Sequence, residues 1–119
     1  MKRDDGLYLE DIAEAADAIA GFVSGIEEAA FMGSDLLRSA VLQKLTVIGE
    51  AASRISDELR ERHMDVPWSR IVAFRNIAVH AYFSVDWHVV WEAATMDAPQ
   101  LKEKVAEIID WEFPGTDVD

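Results

Sequence analysis

The sequence predicts an all-α fold, an antiparallel bundle of four or five helices. Three observations lead there. Apolar residues recur at intervals of three and four along nearly the whole chain, the period of an amphipathic helix. No segment shows the strict alternation of a half-buried strand, and there is no internal repeat or low-complexity tract. A length of 119 residues, half of them hydrophobic, suits one domain around one core and is too short for two ordinary domains. Residues 1–113 are accordingly read as a single helical domain, and 114–119 as an acidic, frayed tail.

The first helix is expected from Tyr8 to Ile26, on the spacing of Leu9, Ile12, Ala16, Ile19, Val23 and Ile26. A turn follows at FMGSD, where Gly33 breaks the pattern and Ser34 or Asp35 can cap the next helix. That second helix is read as continuous to about Arg62, with Leu37, Val41, Leu45, Ile48, Ala52, Ile55 and Leu59 in one stripe. Gly49 sits within it, where glycine costs roughly 1 kcal/mol relative to alanine. The close approach of another backbone would explain it. Pro67 can open the third helix at its first position, where a missing N–H is no loss, and the helix continues through WSRIVAFRNIAVH. A fourth begins near Asp86 and is expected to kink or split near Pro99, before a last stretch with Leu101, Val105, Ile108 and Ile109.

Composition excludes several functions. Without cysteine there are no disulfides, thiolate metal sites or cysteine nucleophiles. No histidine pair has a metal-ligand spacing and no glycine-rich loop could cradle a phosphate, so neither a metal nor a bound nucleotide cofactor is expected. The start, MKRDDGLYLEDIAEAAD, turns acidic where a signal peptide needs its apolar core, and no later segment has the apolar length of a membrane span. A cytoplasmic protein is expected. The 23 acidic and 11 basic residues give a net charge of -12, which opposes broad nucleic-acid binding. Residues 60–82 form the exception, with Arg60, Arg62, Arg70 and Arg75 against Glu61 and Asp65.

Within that basic island lies the stretch RNIAVHAYF, residues 75–83. On a helix, Ser69, Ala73, Asn76 and His80 make one small polar seam, beside an apolar row of Trp68, Ile71, Val72 and Val79 that Arg75 interrupts. A guanidinium at a core edge needs a partner. Either an acid from another helix pairs with it, or it lines a cleft and receives an anion such as phosphate. Arginine and histidine together are what metal-free RNA cleavage requires: a base for the 2′-hydroxyl, an acid for the leaving oxygen and a cation on the phosphoryl group. One histidine performs one proton role at a time, so this chemistry asks for a homodimer that joins two such sites. An arginine and a histidine five residues apart also arise by chance, and a purely structural role stands beside the functional one. Glu50 is a possible partner for Arg75, since Gly49 implies a close neighbour. His63 and His88 are read as surface histidines. Trp87 and Trp91, four apart, are read as core or interface anchors.

The segments YLEDI, VIGEAASRISDELRER, VPWSRIVAFRNIAVHAYF and VDWHVVWEAATMDAPQLKEKV together cover nearly the whole chain, and they resemble the HepT-like proteins of the HEPN superfamily, the toxin half of HepT–MntA toxin–antitoxin pairs. The family's hallmark is an arginine, four to six residues and a histidine, commonly with an RN pair and a following x-Tyr; Arg75, Asn76, His80 and Tyr82 match it. The resemblance implies a HEPN helical bundle, a homodimer whose two motifs meet in a cleft, and metal-independent endoribonuclease activity. It further implies Arg75 and His80 as the catalytic pair, Asn76 as a supporting polar neighbour, and Tyr82 as acceptor of AMP transferred by an MntA-type nucleotidyltransferase antitoxin. RNA would be the substrate; no role with DNA or a membrane is implied. Ala81 departs from relatives with glycine or a polar residue there, and leaves the motif intact. The alternatives are a non-catalytic HEPN dimer that engages a nucleotidyltransferase, and a structural bundle whose Arg75 and His80 are held by internal carboxylates.

Overall fold

The computed structural model describes residues 4–77 and 84–115. Every regular element among them is helical. Helix α1 (Asp5–Val23) starts at Asp4, whose carboxylate accepts the Leu7 amide hydrogen at 3.0 Å. It buries Leu9, Ile12, Ala15, Ala16 and Ile19, and ends before Gly25, whose φ of 74° terminates it. Ile26 of the sequence stripe therefore lies beyond the helix. A short α2 (Glu28–Met32) seats Phe31, fully buried, against the rings of Trp87 and Trp91 at centroid distances of 6.5 and 5.2 Å.

Helix α3 (Asp35–Ser53) is the centre of the bundle, packed on α1 and on the segment that carries Arg75. Of the two cap residues the sequence offered, Ser34 is the one used: its Oγ accepts the Leu37 amide hydrogen at 3.1 Å. The helix does not run on to Arg62. It stops at Ser53, and a separate α4 (Asp57–Arg62) follows. The break is built by Ser56, which turns to an extended ψ of 152° and caps α4, while Asp5 of α1 accepts from the Ser56 N–H at 2.9 Å and from its hydroxyl at 2.6 Å. The apolar stripe survives because Ala52, Ile55 and Leu59 remain buried across the turn.

Helix α5 (Trp68–Ala73) follows Pro67, which takes the cap position itself, and tightens into a 3₁₀ turn at Phe74–Asn76. After the undescribed residues, Asp86 caps α6 (Trp87–Glu92), accepting from the His88 and Val89 amides. A π turn at Ala93–Asp97 then leads into α7 (Ala98–Glu112). The division expected near Pro99 thus takes the form of a π turn, whose wider register, with the Ala98 N–H donating to the Ala93 carbonyl, precedes a residue that cannot donate. Helices α1, α3 and α7 close one core that includes Leu9, Ile12, Leu45, Ile48, Leu101 and Val105. Among the described residues no helix is long and apolar enough to cross a membrane.

Candidate functional site

The site is organised by the contact between the C-terminal half of α3 and the 3₁₀ turn. Gly49 faces Arg75 so closely that a Cβ built on it would strike the Arg75 backbone nitrogen and stand 3.0 Å from both the Val72 carbonyl oxygen and the Arg75 Cβ. Only a residue without a side chain lets the two backbones meet. The close approach that Gly49 implied is therefore real, and its partner is the arginine of the motif.

The next residue completes the pairing. Glu50 places Oε1 3.8 Å from Arg75 Nη1, while Oε2 accepts from Arg54 Nη2 at 3.1 Å and from Arg54 Nε at 3.3 Å. Glu50 thus pairs at hydrogen-bond distance with Arg54, four residues on along α3, in an exposed ion pair, and at longer range with Arg75. The Arg75 side chain is 42% exposed, and no direct hydrogen bond to Glu50 satisfies it at that separation. Arg75 does not take a core position, as the helical row suggested. The 3₁₀ turn shifts the register so that Phe74 follows Trp68 and Ile71 into the core, at intervals of three, and Arg75 turns out towards Glu50. Asn76 ends the turn and is exposed. His80 and Tyr82 lie outside the described residues. The structure therefore brings Arg75 and Glu50 together and adds Arg54, which the sequence pattern alone did not single out although it stands at the i+4 position from Glu50.

Beside this cluster a groove of about 690 Å³ follows the α1–α3 face, lined by Tyr8, Asp11, Gln43, Thr46, Glu50 and Arg54 among others, so that two carboxylates and one guanidinium face it. Arg54 and Glu50 mark the end of the groove nearest the motif.

The other histidines stand elsewhere. His63, read as a surface residue, is largely enclosed, 14% exposed, with Nε2 2.7 Å from Glu112 of α7. Arg62 clasps the same carboxylate through Nε and Nη2 at 2.9 and 2.8 Å. The Arg62 and His63 hydrogen bonds together hold the Glu112 carboxyl down at about 2. His88 is exposed, and its Nδ1 meets Glu28 at 2.6 Å while Nε2 is 3.4 Å from Glu92. The hydrogen bond and charge of Glu28, with the Glu92 charge behind them, raise its pKa above the usual histidine value. Both histidines belong to cross-links between helices, away from Arg75.

The family model "Ribonuclease HepT-like" matches residues 12–108. The chain is 37% identical over 108 residues to the "Probable ribonuclease HepT" of Thermococcus cleftensis, covering 91% of this chain and 98% of that protein. It is 36% identical over 104 residues to the "Putative RNase MJ1380" of Methanocaldococcus jannaschii, covering 87% and 95%. A "Putative RNase TTE0752" of Caldanaerobacter subterraneus subsp. tengcongensis is 34% identical over 102 residues, covering 86% and 91%. No solved structure matches significantly.

Proposed function

The chain belongs to the ribonuclease HepT-like family, and from that premise we propose that it is the toxin of a toxin–antitoxin pair, a metal-independent endoribonuclease that works as a homodimer. The observation that carries this reading is the state of Arg75. It is locked in place by its backbone, packed on Gly49, while its guanidinium is half-exposed and only loosely engaged by Glu50. That is a cation positioned for an incoming anion rather than one neutralised in a core.

In the proposed reaction His80 of one protomer takes the proton of an RNA 2′-hydroxyl, and the 2′-oxygen attacks the adjacent phosphorus. The 5′-oxygen leaves with a proton given by His80 of the partner subunit, and Arg75 stabilises the charge that builds on the phosphoryl oxygens. Asn76, exposed beside Arg75, is suited to contact the phosphate or orient the imidazole. The dimer follows from the chemistry, since one histidine per chain supplies one proton role at a time.

Regulation is proposed at Tyr82, as the acceptor of AMP from a nucleotidyltransferase antitoxin. Added nucleotide would bring negative charge and bulk to the place where the RNA phosphate sits. Two readouts test the toxin reading. Expression of the chain should arrest growth and His80→Ala should relieve the arrest; co-expression with a nucleotidyltransferase partner should add the mass of one or more AMP units, which Tyr82→Phe abolishes. Growth unaffected by the wild-type chain, with no added mass, would leave a non-catalytic partner module as the better account.

A further inference from the structure

We propose that Arg54 is a second phosphate-contacting residue of this site, binding the RNA backbone next to the phosphate held by Arg75, with Glu50 as the carboxylate that orients the Arg54 guanidinium. The inference rests on the ribonuclease reading above and extends it to a residue outside the Arg–x4–His motif.

The physical basis is charge pairing. Arg70, Lys102 and Lys104 each bind a carboxylate of their own, Asp97, Asp17 and Asp65, at 2.6 to 2.7 Å. Arg62 is clasped by Glu112, whose other partner, His63, carries charge only when protonated. At Glu50 two permanently charged guanidiniums converge on one carboxylate. The three groups taken alone carry a formal charge of +1 in a chain whose net charge is -12. It does so at the surface, with Arg54 59% and Arg75 42% exposed.

Geometry assigns the roles. Arg54 gives its Nε–H and an Nη2 hydrogen to Glu50 Oε2, which fixes the plane of its guanidinium and leaves the Nη1 edge directed away from that carboxylate. Arg75 Nη1 lies 3.8 Å from the other oxygen of the same carboxylate, so the two cations flank one anion. In the free chain the carboxylate bridges them and offsets their mutual repulsion. An RNA strand that displaces Glu50 from the loosely held Arg75 finds Arg54 already oriented for a neighbouring phosphate.

The test measures cleavage kinetics and RNA binding on a short single-stranded RNA over a range of salt concentrations. Arg54→Ala should raise KM about tenfold while kcat stays within about twofold, the signature of binding energy shared equally by ground state and transition state. It should also flatten the log–log salt dependence of binding by about 0.7, the change expected when the protein neutralises one fewer phosphate of a single strand. Arg54→Lys should restore the salt slope. Lys102→Ala, which removes one charge that is paired with Asp17 and does not line the groove, should leave KM and slope unchanged. Binding is read in a His80→Ala background, so that it does not depend on turnover. If Arg54→Ala keeps wild-type KM and salt slope while Arg75→Ala abolishes cleavage, the role of Arg54 is overturned and the ribonuclease reading stands. If the wild-type chain binds RNA without cleaving it, the ribonuclease reading fails, and the binding series alone decides Arg54. If it neither binds nor cleaves, both are overturned.

Discussion

Gly49 and Arg75 are in backbone contact: α3 and the 3₁₀ turn approach until no side chain fits between them. The position of the motif arginine is thereby set by a glycine 26 positions earlier in the chain, and the loss of that glycine should be felt at the site before it is felt elsewhere.

Gly49→Ala should gain about 1 kcal/mol of helix propensity and still destabilise the protein, because the new methyl group meets backbone atoms that cannot swing aside. A net loss of about 1–3 kcal/mol in urea unfolding, together with reduced RNA cleavage, is expected. A more stable variant with full activity would show that the contact is relaxed in solution.

The turn between α3 and α4 depends on Asp5 and Ser56. Asp5→Ala leaves the half-buried Ser56 N–H and hydroxyl without their acceptor, at a cost of about 1–3 kcal/mol. Ser56→Ala also removes the α4 cap, at about 1 kcal/mol. Because the two residues share their bonds, the double variant should lose less than the sum, which a double-mutant cycle by chemical denaturation reads directly.

Stability should fall in acid through Glu112. Its carboxyl is held at about 2, below the ordinary value of 4.5, so the native state favours the charged form. The contribution is fully present above about pH 4.5 and is lost as the pH falls towards 2. It amounts to something on the order of 2 kcal/mol for this mostly enclosed carboxylate. Glu112→Gln should be less stable at pH 7 and show a shallower loss of melting temperature between about pH 5 and 2.

His88 titrates in the opposite sense. Its raised pKa means that the stabilisation from Glu28 and Glu92 is present below the ordinary pKa near 6.5 and fades as the pH rises through the raised value. An NMR titration should place the His88 midpoint above 6.5, and Glu28→Gln should lower it. A midpoint that ignores the substitution would mean that the contact at 2.6 Å does not persist in solution.

Periodicity sufficed for the helical class and for most of the core, since Leu9, Ile12, Ile19, Leu45, Ile48 and Val105 are buried where their spacing put them. It could not reveal the break after Ser53, because Ile55 and Leu59 continue the stripe through the turn; the local signal was Ser56 followed by two acids, a cap in the middle of an apparently unbroken helix. Arg75 falls on the apolar row only if the helix keeps 3.6 residues per turn, and the shortening to 3₁₀ geometry puts Phe74 there instead. The burial of His63 depends on Glu112, 49 residues away, a pairing that no local pattern encodes. Gly49 and Glu50 were legible because a glycine inside a strong helix has few explanations other than a close neighbour. Arg54, one helical turn on, was not singled out, because its meaning emerges only with Arg75 on the same carboxylate.

The most direct measurement is cleavage of a single-stranded RNA by the purified chain in excess EDTA, compared with Arg75→Ala and His80→Ala variants shown to be folded by circular dichroism. The wild-type chain should cut without metal, and each variant should lose at least about a hundredfold in kcat/KM, the scale of a missing acid–base or electrostatic group. Cleavage that disappears in EDTA, or that persists undiminished in the Arg75→Ala protein, would contradict the metal-independent ribonuclease reading.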